Sequence, residues 1–240
     1  LPRRETENPR EIFVSEFMLQ QTQVSRVIPK FLAFVEKFPA PEDAASASFE
    51  EIFAVWQGLG FNRRAKFLWE AASEIVEKFG GKIPKKYEEL RSLPGVGDYT
   101  ARAVLAFAWN EEIPVIDINI ERVLKVFFGL DESRGRKKLE ILAGAAIPAG
   151  RSGLRHNALM DFGAMELTAA RTGIASPRQS KFAGSRRETR GKMLKFLVEN
   201  PGWDEEKFLG EFAHAEKKEI LENLLAEKLV KKVGGKIFLG

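Results

Sequence analysis

Apolar residues recur at helical spacing through most of the first 170 residues. Val24, Val27, Ile28, Phe31, Val35 and Phe38 form one stripe, and Leu68, Ala71, Ala72, Ile75, Val76 and Phe79 form another. Shorter runs at Phe49–Trp56, Thr100–Trp109, Ile118–Phe128 and Asn157–Leu167 continue the pattern. Glycine and proline separate them, at Phe38-Pro39, Gly80-Gly81 and Leu93-Pro94-Gly95. There is no internal repeat and no low-complexity tract. The pattern predicts an all-α fold.

The character changes after about residue 170. Arg171 to Ser185 reads as loop. Arg186, Arg187, Arg190, Lys192 and Lys195 then crowd the start of a helix carrying Met193, Leu194 and Leu197. A second helix carries Ile220, Leu221, Leu224 and Leu225, and the sequence closes as LVKKVGGKIFL, two β-prone runs around Gly234-Gly235. Helices followed by a terminal hairpin suggest a small, basic winged-helix-like module over residues 186–240. A tail packed on the main domain is the alternative, and the sequence leaves both open.

Composition narrows the chemistry. The chain has 240 residues, 44% of them hydrophobic, enough for one sizeable core or two smaller ones. Thirty-eight Lys and Arg against 34 Asp and Glu leave a net charge of +4, which permits nucleic-acid binding without requiring it. There is no cysteine, so disulfides, thiolate metal sites and cysteine-held iron–sulfur clusters are excluded. The only histidines are His156 and His214. No metal and no cofactor are therefore expected. No stretch approaches the ~20 apolar residues of a membrane span, and the polar start LPRRETENPRE lacks a signal-peptide core. The expectation is a monomer in the cytoplasm, away from membranes.

The sharpest motif is Leu93-Pro94-Gly95-Val96-Gly97-Asp98-Tyr99-Thr100-Ala101, preceded by a short helix at Tyr87–Ser92 and followed by a longer one. Glycines at 95 and 97 allow positive φ and keep side chains off the backbone. Amides of the turn and of the next helix's first turn can then face an anion. Leu93, Gly95, Val96, Gly97 and Thr100 thus form a candidate cradle for a DNA phosphate, one that does not read sequence. About twenty residues on, Asp117 stands between the apolar run Pro114-Val115-Ile116 and a helical pattern, at a typical N-cap position. Glu16 lies in Ile12-Phe13-Val14-Ser15-Glu16-Phe17-Met18-Leu19, apolar on nearly every side of a helix. Burial there would raise its pKa, as a general acid requires.

The order LPGVG-x-Y-T-A, then V-I-D-x-N-I-x-R-V, resembles the helix–hairpin–helix–Gly-Pro-Asp superfamily of base-excision glycosylases. Ser15-Glu16-Phe17-Met18-Leu19-Gln20-Gln21-Thr22-Gln23-Val24, Trp56-Gln57-Gly58-Leu59-Gly60-Phe61 and Met160-Asp161-Phe162-Gly163-Ala164-Met165 narrow the resemblance to the MutY adenine glycosylases. It covers about residues 1–168. The resemblance implies two helical subdomains, residues 9–111 and residues 1–8 with 112–180, which clasp double-stranded DNA and face Glu16 towards Asp117. It implies that Glu16 protonates adenine at N7, that Asp117 faces the oxocarbenium-like sugar, and that Tyr99 and Asn119 orient the pair. Gln21 and Phe61 would enter the duplex as the base flips out, with Gln20 also contacting DNA. Arg4 and Asn157 would line the base pocket. Bifunctional relatives carry lysine where Tyr99 stands, so little strand-breaking activity is expected.

The sequence departs from that family in three places. Leu167 occupies the first of four cysteine positions that usually bind an iron–sulfur cluster, so a clusterless member is expected. Arg3 replaces the usual tryptophan of Leu-Pro-Trp-Arg. About 55 residues follow Ser185, too few for the usual Nudix-like domain. The expected function is removal of adenine mispaired with 8-oxoguanine or guanine. The alternatives are a thymine glycosylase for G·T mispairs and a damage-recognition module with weak catalysis.

Overall fold

The structure, a computed structural model, describes Arg4 and residues 6–130, 136–174 and 181–240. Helices α1 (Pro9–Leu19), α2 (Val24–Lys37), α3 (Pro41–Ser46), α4 (Phe49–Trp56) and α5 (Arg63–Phe79) come first. The hairpin pair α6 (Tyr87–Ser92) and α7 (Asp98–Ala108) precedes α8 (Ile118–Phe128), α9 (Arg136–Ala145), α10 (Ser152–Met165) and α11 (Ala169–Thr172). The C-terminal part runs α12 (Arg186–Glu199), β1 (Trp203–Asp204), α13 (Glu205–Gly210), α14 (Lys217–Ala226), β2 (Val230–Val233) and β3 (Lys236–Leu239). The all-α expectation for the first part holds. Among the described residues, no helix is long and apolar enough to cross a membrane.

The chain divides into two compact units, Leu1–Phe17 with Ile83–Arg178, and Met18–Lys82 with Gln179–Gly240. One boundary falls inside α1. The sequence grouping of 9–111, with 186–240 set apart, follows chain order; the units follow contacts.

In the first unit, Ala103, Ala106, Val115, Ile116, Ile120, Leu124, Leu139, Ala143 and Met160 share one core, with Tyr99, Phe107 and Leu159 packed against it. Helix α10 starts at Ser152, ahead of the apolar run that begins at Asn157, because Ser152, Gly153 and Arg155 conceal its first turn from a hydrophobic pattern. It crosses α8 closely at Gly163: a Cβ there would lie 2.4 Å from the Asn119 carbonyl oxygen. Only glycine fits that approach.

In the second unit, Val27, Phe31 and Phe34 of α2, Phe49, Ile52, Phe53 and Trp56 of α4, and Leu68, Ala71, Ala72 and Ile75 of α5 supply buried faces. The pattern predicts all of these but Phe34, while Val24, counted in the first stripe, is exposed. A capping box starts α4: Ser48 Oγ accepts from the Glu51 amide at 3.3 Å and Glu51 Oε2 accepts from the Ser48 amide at 3.0 Å. The C-terminal elements follow winged-helix order, with strands arranged β1-β3-β2 and antiparallel. Met193, Leu194, Leu197, Phe208, Ile220, Leu221, Leu224, Ile237 and Leu239 form their interior. Helix α12 also touches α4. Both sequence readings of this segment therefore apply, since it is a winged helix and it packs on the helices of its own unit. Gly234 and Gly235, at φ 56° and 79°, make the tight turn that joins β2 to β3.

The loop read at Arg171–Ser185 contains the short α11 at its start, and its residues 175–180 lie outside the described residues, as does Arg3.

Candidate functional site

The hairpin joins α6 and α7 as expected, but its two glycines act differently. Gly95 is in the left-handed region at φ 74°. Gly97 is not: it sits at φ −83° and ψ 173° as the N-cap of α7, without a side chain to cap the helix. The positive φ expected there is corrected. The value of Gly97 is the open space where a Cβ would stand, with nothing within 4 Å. Leu93, Val96 and Thr100 are buried. Their side chains hold the turn to the core, so any anion at the turn must meet backbone amides. Arg91 Nη1 donates to the Val96 carbonyl at 2.7 Å, while Tyr87 Oη and Arg102 Nε both donate to Asp98 Oδ1, at 2.6 and 2.8 Å. These contacts brace α6 against the first turn of α7.

Asp117 caps α8, with Oδ1 accepting from the Ile120 amide at 2.8 Å. Its other oxygen accepts from Asn119 Nδ2 at 2.7 Å. The chain of contacts continues: Asn119 Oδ1 accepts from Arg122 Nη1 at 2.9 Å, and the same nitrogen reaches the Gly163 carbonyl at 3.2 Å. Arg122 Nε donates to the Ile174 carbonyl at 2.8 Å. A buried guanidinium thus orients the amide that orients the carboxylate. Tyr99 packs, half-buried, against the core that contains Ile116 and Ile120 on either side of Asp117.

Glu16 lies mid-helix in α1 and is 2% exposed, among Ile12, Phe13, Phe17 and Met18. It belongs, with Tyr99, Asp117 and Asn119, to the first unit. Burial of a carboxyl group disfavours its ionised form.

Arg4 forms a bidentate pair with Asp161 of α10, at 2.7 and 2.8 Å. Asn157 is one turn before Asp161 on the same helix, and its Oδ1 is buried with no hydrogen-bond partner among the described residues. The two residues expected at a base pocket are thereby associated with one helix. His156 lies between them in sequence but faces the core. Its Nε2 accepts from the Val115 amide at 3.1 Å and its Nδ1 donates to the Ser152 carbonyl at 2.7 Å. Burial holds its pKa down to about 4.

In the second unit, Gln21 and Phe61 are both exposed and both in the left-handed region, at φ 52° and 47°. Gln20 is half-buried beside them in sequence. Buried Arg64 ties their segments together: it donates to the Met18 carbonyl at 3.1 Å, to Thr22 Oγ1 at 2.8 Å and to the Gly60 carbonyl at 3.3 Å. Its guanidinium also lies over the Trp56 and Phe61 rings, at 5.1 and 5.3 Å.

A four-cysteine cluster does not fit this chain, since Leu167 stands at the first ligand position and no thiolate exists. The segment there is tied instead by α11, by Arg122 at Ile174 and by Arg171 Nη1, which donates to the Glu166 carbonyl at 2.9 Å. Among the described residues, no group of three or more His, Asp or Glu is placed to hold a metal ion.

Sequence reasoning missed Arg64, Arg122 and His156. Arg122 stands in the quoted V-I-D-x-N-I-x-R-V motif, three residues from Asn119, so helical spacing could have revealed it. The partners that set Arg64 (Met18 and Thr22) and His156 (Val115) in place are distant in sequence.

Residues 14–148 match the model of the HhH-GPD superfamily of base excision DNA repair proteins. The chain is 36% identical over 208 residues to the adenine DNA glycosylase of Mycolicibacterium smegmatis, covering 78% of this chain and 71% of that protein. It is 44% identical over 117 residues to the adenine DNA glycosylase of Mycobacterium tuberculosis and 39% identical over 165 residues to the one of Homo sapiens. Those two matches cover 49% and 67% of this chain, but only 38% and 30% of the relatives. Among solved structures, a thermostable thymine-DNA glycosylase superposes with a TM-score of 0.64 at 28% identity, covering 72% of this chain and 84% of that one. A non-covalent endonuclease III–DNA complex has the same fold, with a TM-score of 0.62 at 24% identity over 71% of this chain and 78% of that one.

Proposed function

The chain belongs to the HhH-GPD superfamily of base excision DNA repair proteins, and from that premise we propose that it is a monofunctional DNA glycosylase that removes adenine mispaired with guanine or 8-oxoguanine. Its substrate is double-stranded DNA. The observation that carries the reading is the held carboxylate of Asp117, fixed at both oxygens by Ile120 and Asn119 in the same unit as buried Glu16.

Backbone amides at Gly95, Gly97 and the start of α7 take a phosphate. Gln21 and Phe61 fill the space left in the stack when adenine turns out of the duplex. Their left-handed backbones are the kind of strain that functional sites retain. Glu16, protonated in its apolar surroundings, donates its proton to adenine N7. The C1′–N9 bond breaks with its electron pair leaving on the base. Asp117 stabilises the positive charge that develops on the sugar, and water adds to C1′ as its proton passes to the carboxylate left on Glu16. Asn119, held by Arg122, keeps Asp117 on that axis; Tyr99 packs beside it. Asn157 Oδ1 is suited to accept from the adenine amino group, and Arg4 anchors the pocket through Asp161. No amine stands at position 99, so no Schiff base forms and the strand stays intact. No cofactor takes part.

The test uses excess protein on labelled duplexes containing A·8-oxoG, A·G, A·C and G·T pairs, developed with and without alkali. Adenine removal opposite 8-oxoG and G, visible only after alkali, is expected. The likeness to a thymine-DNA glycosylase favours a second reading, thymine removal from G·T, by the same residues. Cleavage confined to G·T would replace the adenine reading, and tight binding without cleavage would leave a recognition module.

A further inference from the structure

The winged helix of the second unit carries charge that the proposed reaction does not use. Its α14 occupies the place of a recognition helix, with Lys218, Glu219, Glu222 and Asn223 on its exposed side. Glu216 and Glu219 pair with Arg186 at 2.8 and 2.7 Å. A helix face whose charges are mixed and partly paired offers a DNA groove little net attraction.

The wing differs. Lys228, Lys231 and Lys236 are exposed, and none of them pairs with a carboxylate among the described residues. Neighbouring cations are already neutralised: Lys232 by Glu205, and Arg190 by Glu227. The register sets Lys231 opposite Phe238 and Val233 opposite Lys236, so Lys231 and Lys236 share the face of the ribbon opposite buried Val230, Ile237 and Leu239.

Lys66 of α5 joins this group. It is 8% exposed, with its ammonium 5.2 Å from the Phe49 ring and 5.3 Å from the Trp69 ring. Glu70, at 3.8 Å, is its one ion-pair partner among the described residues. Desolvation, and then the charges of Lys228 and Lys231, lower its pKa, with Glu70 opposing. Folding alone gains nothing from bringing three like charges together; a bound anion would relieve them. The location is specific. Lys66 lies in the first turn of α5, about 4.5 Å along the axis from Arg63, and Arg63 acts electrostatically on Glu227 beside Lys228. Helix α5 begins just after Phe61, which is 42% exposed.

We propose that the exposed Lys228, Lys231 and Lys236 of the wing bind the phosphate backbone of duplex DNA, without reading its sequence. This rests on the glycosylase reading and extends it: the winged helix acts as an electrostatic grip beside the wedge residues. It binds through its ribbon rather than α14.

The experiment compares the wild-type chain with a Lys228→Ala, Lys231→Ala, Lys236→Ala variant. Dissociation constants for an A·8-oxoG duplex are measured from about 50 to 200 mM salt, together with single-turnover excision at saturating protein. Each lost phosphate contact lowers the salt slope by about 0.9, so loss of all three lowers it by about 2.7. The affinity advantage of the wild type then changes roughly 40-fold between about 50 and 200 mM salt, with the saturated excision rate unchanged. Arginine at all three positions restores the slope, which a merely structural effect of the lysine stems would not require. A triple-alanine variant with wild-type affinity and slope overturns the inference while leaving the glycosylase reading intact. A wild-type chain that neither binds nor excises overturns both.

Discussion

Arg64 donates a 2.8 Å hydrogen bond to the hydroxyl of Thr22, joining the segment after α1 to the start of α5 across 42 residues of sequence. The same side chain reaches Met18 and Gly60, so one buried cation fixes the turns that carry Gln21 and Phe61. Burial lowers its pKa to about 10, still well above neutrality, so it remains charged in the working range.

Arg64→Met removes the donors and leaves buried carbonyls unsatisfied, which costs about 2–4 kcal/mol. Thr22→Val removes the acceptor for Arg64 and the hydroxyl's own bonds to the Gln20 and Leu59 carbonyls, and costs about 1–2 kcal/mol. Urea unfolding measures both. Equal midpoints for wild type and Arg64→Met would show that the clamp contributes nothing.

The two carboxyl groups should separate chemistry from binding. Glu16→Gln and Asp117→Asn each slow excision by roughly 10²–10⁴-fold, the range of acid–base and electrostatic effects, while mispaired DNA stays bound. Near wild-type excision by either variant would remove that residue from the mechanism.

Asn119 and Arg122 act through Asp117. Asn119→Ala frees one oxygen of the carboxylate and should lower the single-turnover rate by roughly 10–100-fold with little change in affinity, because a positioned group loses its geometry. Gly163→Ala drives a methyl into the Asn119 backbone and should destabilise by about 1–3 kcal/mol as α10 and α8 move apart. A fully stable Gly163→Ala protein would contradict that close approach.

His156 makes stability depend on pH. Its folded pKa is depressed to about 4 by burial, against 6.5 for an unperturbed imidazole. Between those values the unfolded chain takes up a proton that the folded chain refuses. Stability is therefore complete above pH 6.5 and falls as pH drops towards 4, by at most about 3 kcal/mol from this group. His156→Gln should flatten that part of the profile, measured by urea unfolding at stepped pH. An unchanged slope would assign the acid sensitivity elsewhere.

The local code was legible because it depends on neighbours in sequence. The stripe from Val24 to Phe38, apart from exposed Val24, and the hairpin signals Leu93-Pro94-Gly95 and Gly234-Gly235 reappear as elements or turns. The cap at Asp117 and the apolar surroundings of Glu16 were readable for the same reason. The two glycines of the hairpin turn were read as a pair, but backbone angles separate them: only Gly95 needs positive φ.

What the sequence determined by itself was the helical class, the hairpin and the order of the motifs, each fixed by periodicity or turn chemistry over a few residues. Only the tertiary structure decided the long-range partnerships. Arg122 meets Ile174 across 52 residues, Arg64 meets Met18 across 46, and Lys66 shares a charge field with Lys228 and Lys231. Such contacts depend on how helices pack, and packing joins side chains whose separation along the chain leaves no periodic trace.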